Sequence, residues 1–309
     1  MVLEHYSVKR WSGAMETRKP RVSVGLPVYN GEKFISEALD SIIAQSFEDL
    51  ELIISSNAST DGTDEICRAY VARDKRIRYY RNETNIGVDR NFNRVFQLSS
   101  GEYFKWASAD DVCGPDLIAK CLRVLDSDSS VVLAYPKTRF IDEIGGLLDW
   151  NDPGWDLRSD DAVERMRYVI YSGHWVNLFY GLIRVNDLAR TRLFPPYVSG
   201  DYRLIGELCL RGKLFEVPEY LFFRRIHPNI SCRITDPDRQ SEFHTGQRGA
   251  LELPCWHVCL DHARTILASE LNVRNKTACI AMVINRMFSE RWLLLNELHR
   301  AAKYSVRRG

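Results

Sequence analysis

The sequence predicts an α/β fold: a Rossmann-like, mostly parallel central sheet flanked by helices, with a helical C-terminal extension. Three observations carry that expectation. Between Arg21 and Ala107, short apolar runs with strand character alternate with segments whose apolar residues recur at helical spacing. The joints carry turn chemistry, as in Tyr29-Asn30-Gly31, Ser59-Thr60-Asp61-Gly62-Thr63 and Asn85-Ile86-Gly87. From Arg248 onward the pattern becomes helical. Strands that alternate with helices at this rhythm imply βαβ units on a parallel sheet.

Residues 1–20 form a polar leader, expected to be loose, within which Met15 is an alternative start. Arg21 to Val28, RVSVGLPV, reads as a buried strand, and Phe34, Ile35, Ala38, Leu39, Ile42 and Ile43 then mark a helix from Glu32 to Gln45. Leu50 to Ser55 is a second strand, Asp64 to Val71 a helix, Ile77 to Tyr80 a third strand and Asn91 to Leu98 a helix. Tyr103, Phe104, Trp106 and Ala107 make a fourth buried strand, which delivers Asp110 and Asp111 just past its end. In open α/β sheets ligands bind outside the carboxyl ends of the strands. Two adjacent carboxylates repel there, and a hard divalent cation such as Mg²⁺ or Mn²⁺, completed by substrate phosphates, removes that cost. Beyond this point VVLAYP is a strand, and Gly145-Gly146 separates TRFIDEI from LLDW as a hairpin.

The chain has 309 residues, 45% hydrophobic and 27% charged, with a formal net charge of +1. That balance describes a globular protein and supplies no bulk field for nucleic acid. No stretch reads as a signal peptide or approaches the roughly 20 apolar residues of a spanning helix, so the expected location is cytoplasmic, with the inner face of the membrane as a variant of it. The eight cysteines are then reduced and mostly buried. Cys255, Cys259 and His262 share a helix face, with His257 near them. A zinc site wants a second ligand pair, and none is visible. The chain also lacks a GxxxxGK[ST] loop and a GxGxxG after its first strand.

Trp150, Trp155 and Trp175 offer faces on which a sugar ring could stack, although tryptophans more commonly fill cores. Arg291 to Arg308 sets Trp292, Leu295, Leu298 and Ala301 among Arg291, Arg300, Lys303, Arg307 and Arg308. Packing against the body is the plain expectation for this helix; peripheral membrane contact and a homodimer are the others.

The series LPVYNGEKFISEALDSIIAQSF, LELIISSNASTDGT and RNETNIGVDRNFNRVFQLSSGEYFKWASADD resembles the nucleotide-binding half of glycosyltransferase family 2, the inverting enzymes of GT-A fold. YGLIR at Tyr180 to Arg184, SGDYRLIGELCLRG at Ser199 to Gly212 and VPEYLFFRRIHPNIS at Val217 to Ser231 resemble its acceptor half. The resemblance implies a nucleotide-sugar-binding half over 21–136, an acceptor half over 137–235 and a helical extension over 236–309. It implies that Pro27, Val28, Tyr29 and Asn30 hold the nucleotide, Tyr29 by stacking on its base. Glu32 would meet a ribose hydroxyl and Arg90 the base or a phosphate. Asp110 would accept from ribose or share the metal, which Asp111 would ligate. His227, with Arg224 or Arg225, would close over the diphosphate, His227 as a further metal ligand. Asp201, at the start of a helical run, matches the general base that takes the acceptor hydroxyl's proton, with Glu207 as second choice. As a bare residue Asp201 reads as a helix N-cap.

Two departures stand out. Ser56-Asn57 replaces an acid pair that often reads the base, which leaves Ser56 as a weaker nucleotide contact. Ser108 stands at the first position of a motif that is often Asp-x-Asp-Asp. The implied function is metal-dependent inverting sugar transfer from a nucleoside-diphosphate sugar to a glycan, lipid-linked or small-molecule hydroxyl. The alternatives are a catalytically silent nucleotide-sugar-binding or scaffold subunit, which the two serines make conceivable, and a sugar nucleotidyltransferase, for which PVYNGEKF lacks the glycine-rich basic loop.

Overall fold

Both faces of the first two strands are covered, so even their few polar side chains are buried: Ser23 of the first donates to Glu51 of the second at 2.7 Å. In a computed structural model, which describes residues 19–172, 176–228, 230, 234, 236–249 and 253–306, every residue of β1 (Val22–Val28) and β2 (Leu50–Ser56) is buried. Around them follow α1 (Ile35–Ile43), α2 (Thr63–Arg73), β3 (Ile77–Arg81), α3 (Val88–Gln97), β4 (Tyr103–Trp106), β5 (Val112–Cys113), α4 (Leu117–Ser127), β6 (Val131–Ile141) and β7 (Leu147–Asn151). The second half adds α5 (Ala162–Tyr171), a 3-10 turn (Asn177–Tyr180), β8 (Leu182–Arg184), α6 (Val185–Leu188), α7 (Gly200–Arg211) and β9 (Lys213–Arg225). The helices α8 (Pro237–Thr245), α9 (Pro254–Ala268), α10 (Val273–Ser289) and α11 (Arg291–Val306) complete the chain. Trp175, Cys232, Arg307, Arg308 and the leader through Arg18 lie outside the described residues.

One sheet spans both expected halves, in the order β3-β2-β1-β4-β8-β6-β9-β5, with β7 paired to β6. The first four strands are parallel. Beyond β4 the sheet is mixed: β8 runs antiparallel to β4 and β6, whereas β6 and β9 are parallel. Helices cover both faces. Leu26, Ile35, Leu39, Cys67, Ile118 and Leu125 belong to the core under α1, α2 and α4. Phe104, Trp106, Val95, Met166, Leu204 and Cys259 belong to the other core, shared by α3, α5, α7, α9 and α10. Seven cysteines are described, all free thiols and six of them buried. Cys259 and His262 sit in the packing of α9, and no group of three or more metal-ligating side chains occurs among the described residues.

Two helix starts move by three residues from expectation. Helix α1 starts at Ile35 rather than Glu32 because Gly31 to Phe34 form a turn whose Gly31 carbonyl accepts the Phe34 and Ile35 N–H groups at 3.0 Å. Helix α3 starts at Val88 instead of Asn91, directly behind Gly87, whose φ of 85° needs glycine.

Candidate functional site

The strand order places β1 between β2 and β4, and the loops leaving the carboxyl ends of these strands form the floor of the site. Pro27 and Val28 end β1 buried, and Tyr29 is left 49% exposed, with an open face for a ring to stack on. Asn30, at φ 51°, holds the neighbouring loop: its Oδ1 accepts from Thr60 N–H at 2.8 Å, and its own N–H donates to Ser59 Oγ at 3.1 Å. Glu32 Oε2 accepts from Gly62 N–H at 2.9 Å. Asn30 and Glu32 thus tie the β1–α1 loop to the β2–α2 loop.

Ser56 departs from its expected role. It is fully buried, and its hydroxyl donates to Asp64 Oδ1 at 2.6 Å beside Ser59 Oγ, so it faces the inside of its loop rather than a base. Asn57 is equally buried and shapes the next loop, its Nδ2 donating to Asn85 Oδ1 at 2.7 Å and its Oδ1 accepting from Asn82 Nδ2 and Ile86 N–H. A neutral pair fits here because all its polar atoms are spent on neighbours, where a buried acid would need a charged partner.

Past β4, Ala107 N–H still bonds to the Gly25 carbonyl, and five residues later β5 pairs antiparallel with β9 through Val112↔Phe223 and Cys113↔Phe222. The Asp110-Asp111 loop is therefore pinned at both ends. Its partner is the end of β9: Asp111 Oδ1 accepts the Arg225 N–H at 2.8 Å, and His227 Nε2 lies 3.0 Å from Asp110 Oδ2. Ser108 Oγ also donates to Asp110. Burial opposes the ionised form of Asp110, but the hydrogen bonds from His227 and Ser108 outweigh it and hold the carboxyl below its usual range. Asp111 is pushed up to about 8, first by burial and then by the charge of Asp110. Asp110 Oδ2 and His227 Nε2, 3.0 Å apart with the Asp111 carboxyl next in sequence, are an oxygen and a nitrogen donor of the kinds a divalent cation takes. No three of these side chains converge as a ready-made ligand group, so a cation here would draw most of its shell from substrate phosphates.

Alternation along β9 separates the two arginines that the sequence left together. Arg225 is 1% exposed; its Nε donates to the Asp110 carbonyl at 2.9 Å, its Nη1 to the carbonyls of Asp142 and Glu143, and its Nη2 to Glu37. It is a strut under the acid loop and not a diphosphate contact. Arg224 turns the other way and donates to Asn177, and its positive charge favours the ionised forms of both Asp111 and Asp201. Its charge is therefore felt both at the acid pair and at the expected base.

Asp201 is the second residue of α7, two places past the cap position, which Ser199, at φ 68°, holds in its stead. The Asp201 carboxylate accepts the Tyr202 N–H at 3.0 Å. Burial raises its pKa, against that hydrogen bond and the charge of Arg224. Glu207 is buried and occupied by Arg192, which donates to it from both backbone and side chain, so it anchors the 190s loop. Trp155, 3% exposed, packs between Tyr168 and Tyr202 in the core, while Trp150 stacks on Phe140 and keeps an exposed face. A cleft of about 820 Å³ along α5, lined by Arg158, Glu164, Arg167, Tyr168 and Tyr171, is formed without Asp110, Asp111 or Asp201.

Sequence reasoning missed three contributors. Lys105 is buried inside β4 and donates to the carbonyls of Trp106 and Tyr180 at 2.9 and 2.7 Å. A lysine within YFKWA was the available signal, since a buried strand carries such a charge only for a partner. His244 and Asp89 also escaped notice. They pair at 2.8 Å and dock α8 on the first turn of α3, where Arg90 Nη1 reaches the Thr245 carbonyl at 3.5 Å. A Cβ on Gly87 would lie 2.3 Å from the His244 carbonyl, so the docking needs that glycine twice over.

Comparison with known proteins gives this geometry its place. The sequence profile of Glycosyl transferase family 2 matches residues 23–161. An uncharacterized glycosyltransferase of Haemophilus influenzae is 30% identical over 235 residues, 70% of this chain and 68% of that protein. Chondroitin synthase of Escherichia coli is 32% identical over 229 residues, 73% of this chain but 32% of the synthase, so the chain spans about a third of that relative. Among solved structures, residues 1–349 of S. aureus TarS in complex with UDP-GlcNAc superpose with a TM-score of 0.67 at 18% identity, covering 92% of this chain and 81% of that one. The mannosyltransferase PcManGT from Pyrobaculum calidifontis, in complex with GDP-Man and Mn²⁺, superposes with a TM-score of 0.52 at 17% identity, over 96% and 84% of the two chains. These likenesses establish a GT-A fold, and the sequence relatives together with the family profile show that the chain belongs to glycosyl transferase family 2.

Proposed function

We propose that the chain transfers a sugar, with inversion, from a nucleoside-diphosphate sugar to an acceptor hydroxyl, using Mg²⁺ or Mn²⁺ held by Asp110, Asp111 and His227. The observation that carries this is geometric: the adjacent carboxyls Asp110 and Asp111 lie past β4 at the carboxyl edge of the sheet and meet the end of β9, with His227 Nε2 3.0 Å from Asp110 Oδ2 and the Arg225 N–H on Asp111 Oδ1 at 2.8 Å. Solved neighbours in complex with UDP-GlcNAc, or with GDP-Man and Mn²⁺, support the donor class. Bound there, the cation would supply Lewis-acid stabilisation of the departing diphosphate.

The chain's own residues account for the rest. Tyr29 offers its exposed ring to the base. Arg224 presents a fixed cation to phosphate oxygens, a geometry that guanidinium suits. Asp201 accepts the acceptor's hydroxyl proton as the new bond to the anomeric carbon forms and the bond to the phosphate oxygen breaks; its raised pKa makes it a better base. The test is thermal unfolding against UDP, GDP, dTDP and CDP sugars, each with and without Mn²⁺. A donor at about a hundred times its Kd adds about 2.7 kcal/mol, a shift of several degrees. Absence of a shift with all four nucleotides rejects the reading.

A further inference from the structure

Helix α11 packs through a narrow stripe. From Arg291 to Lys303 only Leu294, Glu297 and Ala301 are buried. Trp256 Nε1 donates to the Leu294 carbonyl at 3.1 Å, and Glu297 accepts the backbone N–H groups of Cys255 and Trp256 at the start of α9. The outward residues are not those of a solvated helix. Trp292, Leu295 and Leu298 follow one another at three-residue spacing, and Ile284 and Phe288 lead into them from the end of α10 at four. All five are exposed, Phe288 by 67% and Trp292 by 68%. The Arg291 guanidinium lies 4.8 Å from the Phe288 ring centroid and 5.7 Å from that of Trp292, joining the two helices into one surface.

Charge selects what covers this surface. Between Arg291 and Lys303 the exposed residues include Arg291, Arg300 and Lys303 and no Asp or Glu, because the one acid, Glu297, is turned inward. A second copy docked by a two-fold axis would set like charges against each other. The leader is also basic, with Lys9, Arg10, Arg18 and Lys19 against Glu4 and Glu16, so charge gives it no preference for this face. We propose that α11 and the end of α10 form a docking surface for an anionic lipid bilayer, with Trp292 and the leucines in the headgroup boundary and Arg291, Arg300 and Lys303 on lipid phosphates. Because α9 and α10 pack on α5 and α7, the bilayer would lie on the side of the molecule that those two helices cover. The proposal stands independently of the transfer chemistry.

The test is sedimentation of the full chain with vesicles of phosphatidylcholine alone and of phosphatidylcholine mixed with phosphatidylglycerol. The expected result is binding to the mixed vesicles only, weakening as salt is raised. Arg300→Gln and Lys303→Gln should each weaken it about fivefold, and Trp292→Ala should weaken it further, with melting temperatures unchanged because these side chains are exposed. Failure to bind either vesicle, or equal binding to both, overturns the proposal. So does a dimer in light scattering that Leu295→Glu dissociates, which would make the face a contact between copies.

Discussion

His227 Nε2 lies 3.0 Å from Asp110 Oδ2, although 117 residues separate them in the chain. The contact exists because β5 pairs with β9 and carries the acid loop to the point where β9 ends. If the two residues share a cation, His227→Ala should lower the Mn²⁺-dependent affinity for a nucleotide about tenfold or more, and Asp111→Ala should abolish the metal dependence. Isothermal titration with and without Mn²⁺ checks both; unchanged affinity removes the residue concerned from the site.

Arg224 and Arg225 should separate activity from stability. Arg225→Ala leaves the carbonyls of Asp110, Asp142 and Glu143 without their donor inside the protein and should cost about 3–5 kcal/mol, read as a fall of roughly ten degrees in Tm. Arg224→Ala should leave Tm nearly unchanged and lower kcat/KM by about tenfold to a hundredfold. The opposite pattern would mean that the strand faces are misassigned.

Asp201→Asn should reduce turnover by about 10²–10⁴ while donor binding, measured without acceptor, stays intact. The wild-type rate should fall as pH falls, because the protonated carboxyl cannot accept a proton; burial places that limb above the ordinary carboxylate value. Since the Arg224 charge favours the ionised form, Arg224→Ala should move the limb to still higher pH. A limb that stays in place in the Arg224 variant would show that the guanidinium does not face Asp201.

His262, wholly buried between α7 and α9, has its pKa lowered from 6.5 to about 4, first by burial and then by the charge of Arg286. The unfolded chain therefore binds a proton that the folded chain refuses. The stability due to the neutral ring is complete above about pH 6.5 and drains away as pH falls toward about 4, amounting to about 3 kcal/mol at roughly 1.4 kcal/mol per pH unit. Urea unfolding across that range should show the slope, and His262→Leu should flatten it. An unchanged slope would assign the acid sensitivity to other groups.

Much of this protein is determined by its sequence alone. That β1 and β2 are buried strands is written in RVSVGLPV and LELIIS, whose apolar side chains dominate and whose polar Ser23 and Glu51 bond each other at 2.7 Å. The Asp110-Asp111 pair is legible because it follows a buried strand, and Asp201 because a glycine and an acid precede a helical run. What only the tertiary structure decided are the matters of direction and partnership. Ser56 and Asn57 became buried, their polar atoms spent on neighbours, and Arg225 a strut with Arg224 on the opposite strand face against Asn177, because side-chain direction alternates with backbone pleat and a shift of one residue reverses it. The Asp89–His244 pair and the docking of α8 on α3 join segments 155 residues apart, a closeness that no local pattern encodes. Helix α11 shows the same division: its amphipathic spacing is readable, but which stripe packs was settled by the N–H groups of Cys255 and Trp256, which draw Glu297 inward and leave the basic, tryptophan-bearing face outside.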